Sequence, residues 1–228
     1  RAMETVFSGN PWTTSFTEDS FGNIWIGTYR NGTFCFHKNQ TPFQKSMSGK
    51  NIECMSTDHS GNYWIGSLNG EVCVLDSTQK QIMGKTIFPN DMIHTICGQE
   101  SSNKVWVGTM YGLYEAWIES NKQIVYQKTS GINIPSIRSI VQDSCFLWIA
   151  SYNNGVTLYN YSTQQSVVTY KTDSEVLPLP SNTIRTILKD RENNLWVGTA
   201  EGLVVLNGKE RFTSSPILRK FSFATHQN

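Results

Sequence analysis

One short phrase recurs five times in this chain and constrains its fold more than any other feature. Its clearest copy runs Asp58-His59-Ser60-Gly61-Asn62-Tyr63-Trp64-Ile65-Gly66-Ser67. The other copies centre on Trp25, Trp106, Trp148 and Trp196, so successive tryptophans stand 39, 42, 42 and 48 residues apart. A self-similar period of this size marks a tandem array of supersecondary units. An acid stands six residues before the tryptophan in four copies (Asp19, Asp58, Glu100 and Asp190), and Asp143 stands five before it in the remaining one. Asp leading into Gly-Asn is turn chemistry: the carboxylate caps its own backbone and the glycine supplies a positive φ. Three apolar residues in a row, one of them tryptophan, then form a short strand buried on both faces. A later glycine (Gly32, Gly70, Gly112, Gly155 or Gly202) reverses the chain into a second strand.

Each unit holds four strand-like pieces. The first leads into the acid: Trp12 to Phe16, Asn51 to Met55, Met92 to Cys97, Ile137 to Val141 and Ile184 to Leu188. The second carries the tryptophan. The third follows the glycine: Thr33 to Phe36, Glu71 to Leu75, Leu113 to Trp117, Val156 to Tyr159 and Leu203 to Leu206. The fourth is the least regular: Phe43 to Ser46, Ile82 to Phe88, Gln123 to Lys128, Ser166 to Tyr170 and Ile217 to Phe221. Four short antiparallel strands in such a period make one propeller blade. A blade cannot bury its two faces alone, whereas neighbours packed around an axis can, with the tryptophans between them. The expectation is an all-β chain, residues 1–228, forming one β-propeller segment of five four-stranded blades. Five repeats make either a closed five-bladed ring or an arc of a seven-bladed one. The abrupt first and last residues favour the arc, whose two open faces call for self-association.

Composition enters where it excludes partners. The net charge is +1, which gives no electrostatic case for nucleic acid or an anionic membrane. No apolar run is long enough to span a bilayer.

The repeat acids sit one per blade on one rim, where they read as turn caps rather than a carboxylate cluster. The five cysteines (Cys35, Cys54, Cys73, Cys97, Cys145) form no Cys-x-x-Cys pair, so no zinc or redox site is expected. Cys35 and Cys73 hold equivalent places in adjacent blades; a disulfide there and two buried free thiols both fit, and the thiols are favoured. His37, His59, His94 and His226 are scattered without metal-ligand spacing. No catalytic residue, metal or cofactor is expected.

The stronger site argument is positional. In a propeller the loops between second and third strands share one face, at the mouth of the central channel, and function in repeat folds concentrates in such loops. Here they present Tyr29, Arg30 and Asn31, then Leu68 and Asn69, Met110 and Tyr111, Tyr152, Asn153 and Asn154, and finally Ala200 and Glu201. Aromatic rings beside amides and arginine suit a carbohydrate: rings stack on sugar faces and amides bond hydroxyls. Glu53, His94, Arg138 and Arg185 occupy matching positions at the starts of first strands, each after an isoleucine. Pointing into the channel, they suit a sulfated or uronic-acid glycan; lying between blades, the two arginines pair with carboxylates instead. The candidate ligand residues are therefore Tyr29, Arg30, Tyr111, Arg138, Tyr152, Asn153, Asn154 and Arg185.

The phrase Asp-x-x-Gly-Asn-x-Trp-Ile-Gly-Thr, followed by Gly and an apolar strand, resembles the two-component regulator propeller repeat. The resemblance covers nearly the whole chain. The copies depart from it at turns: Glu100-Ser101-Ser102-Asn103-Lys104 lacks the Asp and Gly, the fourth copy is one residue short with Ala150 for glycine, and Asn193 stands for the turn glycine. The resemblance implies the extracytoplasmic, periplasmic sensor region of a hybrid histidine kinase/response regulator, responding to a polysaccharide-derived glycan and signalling through a phosphorelay whose kinase lies outside this sequence. Its partners would be the glycan and the remainder of the sensor chain. A propeller-scaffold enzyme such as a lyase, and a pure protein-interaction propeller, are the alternatives.

Overall fold

The computed structural model describes residues 12–19, 22–36, 44–46, 49–76, 78, 81–88, 90–207 and 218–221. Within them the chain forms twenty strands and no helix. The first blade holds β1 (Thr13–Glu18), β2 (Ile24–Thr28), β3 (Gly32–Phe36) and β4 (Gln44–Ser46). The second holds β5 (Ile52–Thr57), β6 (Tyr63–Ser67), β7 (Glu71–Leu75) and β8 (Gln81–Thr86). The third holds β9 (Ile93–Gly98), β10 (Lys104–Thr109), β11 (Leu113–Ile118) and β12 (Ile124–Lys128). The fourth holds β13 (Ile137–Asp143), β14 (Phe146–Ser151), β15 (Val156–Asn160) and β16 (Gln165–Tyr170). The fifth holds β17 (Ile184–Lys189), β18 (Leu195–Thr199), β19 (Gly202–Leu206) and β20 (Leu218–Phe221). Each blade is an antiparallel meander in sequence order. Two residues of the expected fourth strands, Phe43 and Ile217, lie outside the described residues.

The repeat aspartate does more than close its turn. Asp58 accepts the backbone N–H and the side-chain amide of Asn62 at 3.0 and 2.9 Å, and its Oδ2 also accepts the indole N–H of Trp64 at 2.9 Å. Asp19 and Asp190 bind Trp25 and Trp196 in the same way, at 3.1 and 2.7 Å. One carboxylate therefore satisfies a turn and a buried indole together. Asn193 takes the glycine's left-handed conformation at φ 64°, as Gly61 does at 80°.

Glu100 departs from this reading. It matches the spacing of the repeat acid, but its side chain is 58% exposed and turns outward, 4.0 Å from Lys189. It is not a turn cap: Ser102 bridges this turn instead, donating to Gln99 Oε1 at 2.7 Å and accepting the Lys104 N–H at 3.3 Å.

Hydrophobic clusters fill four junctions between consecutive blades. Each sets the tryptophan face of one blade against the first three strands of the next: Trp25 against Met55, Tyr63 and Ile65; Trp64 against Ile93, Ile96 and Val107; Trp106 against Ile137, Ile140 and Ile149; Trp148 against Ile184, Ile187 and Val197. Among the described residues no cluster joins the fifth blade to the first. Phe16, which holds the place of the buried Met55, Ile96, Ile140 and Ile187, is 66% exposed, and Leu188, opposite Trp196, is 62% exposed.

The glycine after the tryptophan strand's apolar run is a packing residue. A Cβ at Gly66 would stand 2.7 Å from Ile93 Cγ2, and one at Gly108 would stand 2.5 Å from Ile137 Cγ2. The strand thus lies directly against the first residue of the next blade's inner strand.

Candidate ligand site in the central channel

The inner strands β1, β5, β9, β13 and β17 lie side by side in that order and border a cavity of about 480 Å³. Glu53, His94, Arg138 and Arg185 all line it, with Thr14 and Thr186. The residues after the leading isoleucines thus face the channel, not the blade junctions. Among the described residues neither arginine is ion-paired with a carboxylate.

Two blades converge on one ring. Tyr152, in the loop between β14 and β15, lies beneath both guanidinium groups: Arg138 Cζ is 5.1 Å from its centroid and Arg185 Cζ is 5.2 Å. Such cation–π contacts hold a guanidinium without consuming its N–H donors. Arg138 Nη1 lies 3.2 Å from His94 Nδ1, in the adjacent blade. Burial, then the Arg138 charge, push His94 down to about 4, with Asp91 working in the opposite direction. His94 is therefore neutral at physiological pH, and its Nδ1 accepts from the arginine. Of the four side chains at these matching positions, Arg138 and Arg185 are the permanent cations. Burial raises the Glu53 carboxyl, opposed by Arg138. Arg138 Nε is buried and finds no partner among the described residues.

The remaining candidates lie elsewhere on the mouth. Arg30 Cζ sits 5.0 Å from the Tyr29 centroid, and Tyr29 packs on Trp12 with centroids 6.1 Å apart. Tyr111 is exposed in the third blade's loop. Asn153 Oδ1 accepts from Thr183 Oγ1 at 3.2 Å, and Asn154 is half-buried beside it. The structure therefore gathers Arg138, Tyr152 and Arg185 and leaves Tyr29, Arg30 and Tyr111 on other blades. His37 and His226 lie outside the described residues; Cys35, Cys54, Cys73, Cys97 and Cys145 are all free thiols.

Residues 7–30 and 178–201 match the family model described as two component regulator propeller. Those two segments are similar to the two-component regulator propeller repeat. Solved structures agree on the architecture. The extracellular domain of the putative hybrid two component system BT3049 from B. thetaiotaomicron is 24% identical, with a TM-score of 0.74 over 96% of this chain and 29% of that one. The extracellular domain of BT4673, from the same organism, is 19% identical with a TM-score of 0.59, over 94% of this chain and 34% of that one. Virginiamycin B lyase from Staphylococcus aureus is 14% identical with a TM-score of 0.71, over 94% of this chain and 71% of that one. These likenesses show a β-propeller fold. The propeller segment thus spans less than a third of the BT3049 domain's length. No curated protein matches the chain.

Proposed function

We propose that this propeller is an extracytoplasmic sensing segment of a hybrid two-component sensor, and that its channel binds an acidic, polysaccharide-derived glycan. The observation that carries the ligand class is the pair of guanidinium groups, Arg138 and Arg185, held over Tyr152 with no carboxylate ion pair among the described residues. Arginine forks match planar carboxylates and sulfate oxygens, and the tyrosine edge offers apolar contact to a sugar face. The repeat match and the likeness to two extracellular sensor domains support the sensing role. No helix among the described residues is long and apolar enough to cross a membrane. The segment signals to a kinase carried elsewhere in the sensor, and the rest of that chain or a second copy packs against the open faces at Phe16 and Leu188.

The lyase alternative is weaker on geometry. Glu53 and His94 do share the cavity, but the imidazole is committed to Arg138 and is too weakly basic to act as a general base near neutral pH.

The test is calorimetric titration with sulfated and desulfated forms of one oligosaccharide, together with a uronic-acid oligomer. The acidic forms bind and the neutral form does not. Arg138→Gln with Arg185→Gln weakens binding at least tenfold, as expected for losing two charge-assisted contacts. Equal binding of the neutral form overturns the proposal.

A further inference from the structure

The side chains that follow the leading isoleucines stand in a fixed order around the channel. Glu53 is on β5, His94 on β9, Arg138 on β13 and Arg185 on β17, and these inner strands pack on one another in that order. Thr14 lines the same cavity from β1. Charge is therefore divided around the ring. One carboxylate stands on the second blade, two guanidinium groups stand on the fourth and fifth, and His94 lies between them.

Contacts hold the charges apart. Arg138 Nη1 meets His94 Nδ1 at 3.2 Å, and both guanidinium groups lie on Tyr152. A carboxylate placed to neutralise the arginines would touch one of them, yet among the described residues Glu53 forms no ion pair with either. It is half-buried and lines the cavity. Burial raises its carboxyl, and Arg138 offsets only part of this from a distance. A partly desolvated carboxylate with no cation in contact is disfavoured in its charged form, and a cation arriving with a ligand relieves that. On the other side, the buried Nε of Arg138 has no partner among the described residues. Each side of the channel lacks the opposite charge, and His94 keeps the two sides from supplying it to each other.

We infer that the channel ligand is zwitterionic: its anionic group rests on Arg138 and Arg185, and a primary ammonium of the same molecule rests on Glu53. This rests on the reading of the channel as the site of an acidic ligand and adds a second charge to that ligand. An ammonium is a compact point charge with three donors, suited to a lone carboxylate, whereas guanidinium forks suit the oxygens of the acid. Glu53 is then a specificity-determining residue. It favours a ligand whose amine is free over the same ligand with that amine acetylated, because acetylation removes the charge and leaves the carboxylate unpaired. A further anionic group in that place meets like-charge repulsion.

The experiment is calorimetric titration of the chain, near neutral pH, with one tetrasaccharide of alternating uronic acid and hexosamine, prepared with its amines free and with its amines acetylated. Attraction to the two arginines alone favours the acetylated form, which carries the larger net negative charge. A zwitterionic site does the opposite: the free-amine form binds at least tenfold tighter, and Glu53→Gln reduces that ratio below twofold. The ratio in the unsubstituted chain decides the ligand class without any variant. Equal affinities, or tighter binding of the acetylated form, overturn the zwitterionic assignment and leave the acidic ligand standing. Binding of neither form overturns both. A free-amine preference that survives in Glu53→Gln places the ammonium elsewhere and overturns the role of Glu53.

Discussion

Asp58 accepts the indole N–H of Trp64 at 2.9 Å while the same carboxylate holds Asn62, so a single side chain couples the rim turn to the blade core. Removing it leaves a buried indole donor and a turn amide unsatisfied. Asp58→Ala should cost about 2–4 kcal/mol, read from urea unfolding. Glu100→Ala, at the equivalent position of the third blade, should stay within about 0.5 kcal/mol of the parent. Equal losses at the two positions would contradict the assignment of the cap.

Asp19 gives this coupling a pH signature. Burial works to raise its carboxyl, but hydrogen bonds from Tyr63, Asn23 and Trp25 together outweigh it and hold it at about 2, against an ordinary 3.8. A carboxyl depressed in the fold contributes stability that is complete above its unfolded value and is lost as pH falls through its folded value. The window here runs from near 3.8 down to about 2, and the contribution at neutral pH is about 2 kcal/mol. The stability gap between the parent and Asp19→Asn should therefore narrow across that window. A gap unchanged down to pH 2 would show that the carboxylate is not depressed.

Trp64 is fully buried at the junction of the second and third blades. Trp64→Ala should cost about 3–5 kcal/mol, visible as a lower Tm. Phe16→Ser and Leu188→Ser, on the exposed outer faces of the first and fifth blades, should leave the fold within about 0.5 kcal/mol. Both should reduce any self-association measured by light scattering.

Gly108→Ala should destabilise the fold by about 1–3 kcal/mol, because its Cβ would meet Ile137 Cγ2 at 2.5 Å. Ile137→Ala should restore part of the loss in the double variant. Gly198→Ala should be tolerated, since its nearest neighbour is Thr186 Cγ2 at 3.2 Å. Similar losses at both glycines in thermal unfolding would rule out close approach as the cause.

The strands were legible because the repeat states them five times over. Glu71 to Leu75 agrees to the residue with β7, and the other described strand ends differ by at most two. The position that Arg138 and Arg185 share after an isoleucine left the channel and the blade junction both open, and the packing of the inner strands decides for the channel. Their meeting at Tyr152 could not be read, because the three side chains come from two blades and their approach depends on the angle between those blades. Nor could the neutrality of His94, which follows from burial and a guanidinium 44 residues away. The missing cap of Trp106 left a partial trace: Glu100 keeps the spacing, but the turn after it carries neither Gly nor the Asn that binds the acid elsewhere.

The most direct test of the channel assignment is arginine-selective dicarbonyl labelling, read by mass spectrometry with and without an acidic oligosaccharide that binds. The account predicts that Arg138 and Arg185 become protected while the exposed Arg30 and Arg191 react as before. Bound ligand with undiminished labelling at Arg138 and Arg185 would place the site outside the channel and contradict it.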